Sequence, residues 1–226
     1  PLARTREYIE IIRSALSGAP VNHEGKYYQM SRFRMNSPPV QERLPVYIAS
    51  LGPKNLELTG ELADGWLPVW LNRERIPDLK EHISVGAARS GRTASDVTVA
   101  PYLMAYTAEG NDDLSHGARL LRSHMAYYIG GMGTYYYESF SRAGFAAEAK
   151  AVQTAWSSGN REQAANAVSD RMLESVAVLG DAQQCRDQMN TFRKAGVDIP
   201  VLTFPHGTEL DSIHRTITAL APRAGA

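Results

Sequence analysis

The sequence predicts an α/β chain with a parallel sheet, on three observations. Four short apolar runs, at residues 46–49, 66–71, 97–108 and 199–204, read as strands. The runs are close to continuously apolar, the pattern of strands buried on both faces. Segments of helical periodicity separate and follow them, and a crossover helix between two strands makes those strands parallel.

The chain opens on a helix. Leu2, Thr5, Tyr8, Ile9, Ile12 and Leu16 fall at helical spacing, and Gly18 stands where a C-terminal cap belongs. No strand precedes this helix and no initiator Met precedes Pro1, so further structure is expected upstream. Residues 20–44 form a polar excursion in which Glu24-Gly25-Lys26 marks a turn between Val21 and Tyr27-Tyr28, a small hairpin, and Pro38-Pro39 marks a loop. Residues 45–67 then set the pattern for the rest: an apolar run, a turn at Ser50-Leu51-Gly52-Pro53, a helix carrying Leu56, Leu58 and Leu62, a turn at Ala63-Asp64-Gly65, and a second run. The next helix lies within 73–90, with Pro77 near its start and Leu79, Ile83 and Ala87 on one face. After the third strand, Asn111-Asp112-Asp113 is expected to cap a long helix that Gly130-Gly131-Met132-Gly133 breaks. Shorter helices are expected at 135–143, 146–157 and 161–168, and another at 181–195 closed by Gly196. Pro205-His206-Gly207 turns the fourth strand into a last helix at 210–220. Four strands do not close a barrel, which needs eight. The pattern alone leaves open a four-stranded open sheet or part of a barrel. The whole of 1–226 is expected as a single domain with a helical insertion at about 110–197.

Composition narrows the partners. Lys plus Arg and Asp plus Glu both number 24, which argues against nucleic acid or an anionic membrane bound through bulk charge. No apolar run is long enough to span a bilayer, and residues 1–17 carry Arg4, Arg6, Glu7, Glu10 and Arg13 in place of an apolar signal core. The single Cys185 excludes an internal disulfide, and its surroundings read as a helix face. These features fit a soluble cytoplasmic protein.

One turn has a chemical use. Pro53 suits a first helical position, and the N–H groups of Leu51, Gly52 and Lys54 lie near a helix N-terminus, where an anion is favoured. From the residues alone this is a phosphate site or a plain Gly-Pro turn. Lys54 either reaches an anion or is solvated. Trp66, Trp70, Met104 and Tyr106 either line an apolar slot or fill the core. His206 follows the fourth strand as a proton donor or a loop histidine. The remaining histidines, His23, His82, His116, His124 and His214, have no metal-ligand spacing, so no metal is expected. Tyr135-Tyr136-Tyr137 reads as a lid, an oligomer face, or a helix with two exposed rings.

Several stretches carry a family resemblance: residues 4–16, GAPVNHEGKYY (18–28), PVYIASLGPKNLELTGELADGWLP (45–68), HMAYYIGGMGTYYYESFSRAGF (124–145) and VAVLGDAQQCRDQMNTFRKAGVDIPVLTF (176–204). Together they resemble the luciferase-like monooxygenase superfamily, and within it the branch that uses coenzyme F420, a deazaflavin. The resemblance implies a (β/α)8 TIM barrel of bacterial-luciferase type, this chain carrying about the last four strands plus a helical insertion. It implies hydride transfer between F420 and a small organic substrate, with the cofactor phosphate near Ala49, Ser50, Leu51 and Gly52. The catalytic residues are unknown and expected upstream of Pro1, and a homodimer is the expected assembly. Two alternatives stand beside this: an FMN-dependent monooxygenase of the same fold, and a non-catalytic interaction module.

Overall fold

The structure is a computed structural model and describes residues 2–37 and 39–222. Its contacts cluster into two units, one built from Pro1–Pro68 and Pro77–Ala100, the other from Val69–Ile76 and Pro101–Ala226. Pro38, expected in a loop, lies outside the described residues. No described helix is long and apolar enough to cross a membrane.

The first unit opens on α1 (Leu2–Leu16) and an antiparallel hairpin, β1 (Val21–Glu24) and β2 (Gln29–Phe33). Glu7 ties them together: its carboxylate accepts the backbone N–H groups of Lys26, Tyr27 and Tyr28, at 3.0, 2.9 and 3.2 Å, and so holds the hairpin turn against the helix. Then come β3 (Tyr47–Ile48), α2 (Pro53–Leu62), β4 (Gly65–Trp66), α3 (Ile76–Arg89) and β5 (Thr98–Val99). The three strands pair in parallel in the order β3-β4-β5, as the crossover helices require. Asp64, in the turn before β4, accepts the Val46 N–H at 2.8 Å and pairs with Arg13 and Arg43. One carboxylate thereby sets the start of β3 against α1.

Helices α2 and α3 meet through two glycines. A Cβ built on Gly60 would stand 2.0 Å from the Ile83 carbonyl oxygen, and one on Gly86 would stand 1.7 Å from that of Glu57. The neighbours are backbone and have no rotamer with which to yield.

The second unit is organised on β6 (Tyr102–Thr107), buried from Leu103 to Thr107 and paired in parallel on both edges. It pairs with β7 (Ala177–Gly180) at one end, Met104 opposite Ala177, and with β8 (Val201–Thr203) at the other, Tyr102 opposite Val201. The run expected as one strand over 97–108 is interrupted at Ala100-Pro101, because Pro101 has no N–H for the ladder, although its carbonyl accepts from Val201 at 3.0 Å. Helices α4 (Gly110–Gly131), α5 (Tyr135–Phe140), α6 (Ala146–Ser157), α7 (Arg161–Asn166) and α8 (Asp170–Glu174) follow β6; α9 (Ala182–Lys194) follows β7 and α10 (Leu210–Leu220) follows β8.

Three expectations need correction here. Strand β7 and helix α8 were not foreseen, so the segment at 110–197 is not wholly helical. Its apolar residues 176–179 are too few to show a period of their own, although Gly180-Asp181 separates them from α9. Helix α4 is not capped by the Asn111-Asp112-Asp113 cluster from outside. Glu109 is the cap position, and Asp113 lies inside the first turn and reaches back to accept the Glu109 N–H at 2.8 Å. The same Asp113 accepts from the Tyr106 hydroxyl at 2.5 Å and from Arg215 at 2.6 Å.

Two predictions follow from these contacts. Gly86→Ala, or Gly60→Ala, overpacks the α2–α3 contact and lowers stability by about 1–3 kcal/mol, read as a drop in the urea midpoint. An unchanged midpoint would contradict the close approach. The second concerns Asp113. Burial alone would raise its carboxyl, but the Tyr106 hydroxyl, the Glu109 N–H and Arg215 together hold it below the ordinary value. A depressed folded value means the stabilisation is complete above the unfolded carboxyl value of about 3.9 and is lost as pH falls through the folded one. Asp113→Asn is therefore less stable than the parent at pH 7, and the gap in melting temperature closes below about pH 4. A gap that persists at pH 2 would remove Asp113 from this role.

Candidate functional site

Two sets of residues, one in each unit, have the geometry of a binding site. In the first unit the chain leaves β3 at Ile48 and reaches α2 through Ala49, Ser50, Leu51 and Gly52. Ser50 is buried and doubly fixed: its hydroxyl bonds the Thr59 hydroxyl at 2.8 Å, and its carbonyl accepts from the Trp66 indole at 2.6 Å. Trp66 is thus a fully buried strut under the turn and not part of an open slot. Gly52 is the cap of α2, and its carbonyl accepts from the Asn55 and Leu56 N–H groups at 3.0 and 2.9 Å, with Pro53 opening the helix. Among the described residues nothing accepts the Leu51 or Gly52 N–H. Those two donors and the positive end of a ten-residue helix favour an anion.

Gly52 has ordinary extended dihedrals, φ −83° and ψ 147°, and a Cβ built on it meets no atom within 4 Å. Among the described residues neither strain nor crowding accounts for a glycine there. The space above the turn is free for a bulky group, so the residues fit a phosphate. Lys54 does not supply the counter-charge: its ammonium lies 2.8 Å from Glu57, which also pairs with Arg89 at 2.6 Å.

In the second unit an aromatic cluster forms around Trp70 and α4. Trp70 is 4% exposed and has φ of +54°, a left-handed backbone that a bulky side chain rarely takes. Its ring lies 5.8 Å from His124 and 5.7 Å from Tyr128, centroid to centroid, and His124 stacks on Tyr128 at 5.3 Å. Tyr136 meets Tyr128 edge-on at 4.8 Å, so this member of the tyrosine run packs into the cluster while Tyr135 stays exposed. The backbone N–H of His206 donates to His124 Nδ1 at 3.4 Å. With Nδ1 accepting, the imidazole proton is assigned to Nε2. Burial and the neighbouring His206 hold the His124 imidazole below its usual value, so at neutral pH it is uncharged. Both remaining donors, His124 Nε2–H and Trp70 Nε1–H, are buried without a partner among the described residues.

The other candidates serve the fold. Met104 is buried and receives the Thr203 hydroxyl at its sulfur, and Tyr106 spends its hydroxyl on Asp113. The His206 ring is exposed; what that residue contributes is its backbone N–H. Cys185 is fully buried and points its thiol at the Gly180 and Tyr106 carbonyls; burial pushes its pKa up, away from a reactive thiolate. Sequence reasoning missed His124, having tested histidines only for metal spacing. The signal was present in the separation of His124 and Tyr128 by four residues, one above the other on a helix.

The comparisons with known proteins bear on the family and the fold. The family model described as luciferase-like monooxygenase matches residues 1–199. A Mycobacterium tuberculosis protein, provisionally named a coenzyme F420-dependent oxidoreductase, is 28% identical over 221 residues, covering 90% of this chain and 63% of its own length. The 5,10-methylenetetrahydromethanopterin reductase of Archaeoglobus fulgidus is 28% identical over 214 residues, covering 92% of this chain and 62% of its own length. The structure of coenzyme F420-dependent tetrahydromethanopterin reductase from Methanopyrus kandleri superposes with a TM-score of 0.80 at 25% identity, covering 96% of this chain and 61% of that one. The chain therefore spans about three-fifths of the length of the relatives it matches. With the family model over most of its length and its parallel strands joined by helices, the chain belongs to the luciferase-like monooxygenase family and carries part of that family's (β/α)8 barrel.

Proposed function

We propose that this protein is an F420-dependent oxidoreductase that transfers a hydride between the deazaflavin and a small organic substrate, and that Ala49, Ser50, Leu51 and Gly52 hold the cofactor's phosphate. The observation that carries the reading is the β3–α2 turn: among the described residues, two amides without an acceptor at a helix start, beside a glycine whose Cβ position meets no atom within 4 Å. The names of the similar relatives support F420 as the cofactor. FMN is named for a structural neighbour at 11% identity, a likeness of fold alone. The family resemblance also supports a cytoplasmic homodimer as the working assembly.

When bound, the deazaflavin supplies the two-electron hydride chemistry. The chain's own residues bind and orient. The Leu51 and Gly52 amides meet the phosphate, and the Trp66–Ser50 and Ser50–Thr59 bonds hold those amides in place before the ligand arrives. Such preorganisation avoids an ordering cost on binding.

The test is a fluorescence titration of the whole gene product with F420 and with FMN, in the parent and in Gly52→Val. The open space and extended dihedrals leave the fold of the variant intact, with an unchanged melting temperature. F420 affinity falls by about tenfold or more, roughly 1.4 kcal/mol. Unchanged affinity in the variant would refute the phosphate assignment, and FMN binding without F420 binding would refute the cofactor.

A further inference from the structure

The aromatic cluster of the second unit contains an unusual pairing of donors. Buried polar hydrogens in native proteins nearly always find an acceptor, and each exception needs a reason. Here two exceptions, Trp70 Nε1–H and His124 Nε2–H, belong to rings whose centroids are 5.8 Å apart. Trp70 is held there against a left-handed backbone, a conformation that costs energy and persists only where the surroundings enforce it. His124 and Tyr128 are half-buried, so the cluster can be approached from their side.

We infer that Trp70 and His124 together hold one uncharged carbonyl oxygen of the substrate, each through its ring N–H. Three features of the cluster select that chemistry. Both groups are donors, so the missing partner is an acceptor. Both are neutral, and their neighbours Tyr128 and Tyr136 are aromatic, so a carboxylate or phosphate would be buried there without a counter-charge. A carbonyl oxygen has two lone pairs and no hydrogen, which matches two donors. A water taking both bonds would bring two hydrogens of its own to place among aromatic rings.

The pairing also fixes what His124 can do. Its Nδ1 faces the His206 backbone N–H, which does not ionise, so a second proton on the ring would point donor at donor. His124 therefore polarises the carbonyl by hydrogen bonding and does not act as its acid. Reduction of a ketone to an alcohol adds one hydride at carbon and one proton at oxygen. The hydride comes from the reduced deazaflavin of the proposed reaction, on which this assignment of substrate class rests, and the proton comes from solvent.

The test reads the donors directly and needs no turnover. This chain carries Trp66, Trp70 and Trp156, and in the whole gene product labelled with nitrogen-15 the loss of one indole N–H resonance in Trp70→Phe, and of another in Trp66→Phe, identifies those two. Acetone, cyclopentanone and acetophenone are added in turn, with and without oxidised F420, alongside acetate and F420 alone. At least one ketone should shift the Trp70 resonance saturably while Trp66, bonded to Ser50, stays in place. His124→Phe should weaken that ketone by roughly threefold to tenfold, the worth of one neutral hydrogen bond, and His124→Gln, which keeps an N–H donor, should restore most of it. Three results would overturn the assignment: no ketone moves Trp70 in either condition, acetate moves it as strongly, or F420 alone does so. F420 binding is followed by its own fluorescence in the same samples. Failure of the cofactor reading is thus seen separately from failure of the carbonyl site.

Discussion

The Asp113 carboxylate is the contact on which the second unit depends. It receives the hydroxyl of Tyr106 from β6, the N–H of Glu109 at the entry to α4, and the guanidinium of Arg215 from α10. Three elements far apart in sequence therefore share one acid, and Arg215 extends the join by donating to the Thr107 carbonyl on β6 at 2.8 Å. Asp113 is half-buried, and both of its oxygens are filled. The consequence reaches the candidate site, because α4 carries His124 and Tyr128 about three and four turns further along. Fixing the start of that helix on the strand fixes where those rings stand.

Packing completes what the acid begins. Gly130 lies on α4 against the Trp156 ring, where a Cβ would stand 2.3 Å from the indole, and Trp156 is in turn covered by Arg161 at 3.6 Å from its centroid. The break that follows, at Gly131 to Gly133, releases the chain into α5, which returns Tyr136 to Tyr128. The tyrosine run thus closes the cluster from outside, and one of its rings is left at the surface. That division follows helical geometry: consecutive residues point about 100° apart, so three in a row cannot all face the same partner.

Much of this was legible in the sequence. Helices over Leu2–Leu16, Ala146–Ser157 and Leu210–Leu220 match their predicted bounds, because period and punctuation agree at both ends. The turn at Ser50-Leu51-Gly52-Pro53 and its helix were legible for the same reason, since proline and glycine restrict the backbone locally. Strand β7 was not, because four apolar residues between helices carry no period of their own. Nor was the role of Asp113, since a carboxylate in a first turn looks the same whether it caps from outside or reaches back, and its other partners are Tyr106 and Arg215, the latter 102 residues away. His124 was hidden by a different limit. Its significance lies in what its Nε2 lacks, and an unfilled donor exists only once the surroundings are known.

The glycines sharpen the case for the β3–α2 turn by contrast. Gly60 and Gly86 are small because a neighbouring backbone occupies the place of a side chain, and Gly65 because the Tyr47 ring does. Gly144 and Gly159 have φ near +90° and +83°, where other residues are strained. Each of these has a reason within the chain. Among the described residues Gly52 has neither crowding nor a positive φ, and it occupies a helix cap, where Ser, Thr, Asp or Asn would be more stabilising by only a few tenths of a kcal/mol. A glycine there leaves the space above the turn open to an occupant from outside the described residues, as the proposed phosphate site requires. An anion resting on the Leu51 and Gly52 amides is such an occupant: it would satisfy the same orphan donors that a capping side chain satisfies, and a capping side chain would stand in its way.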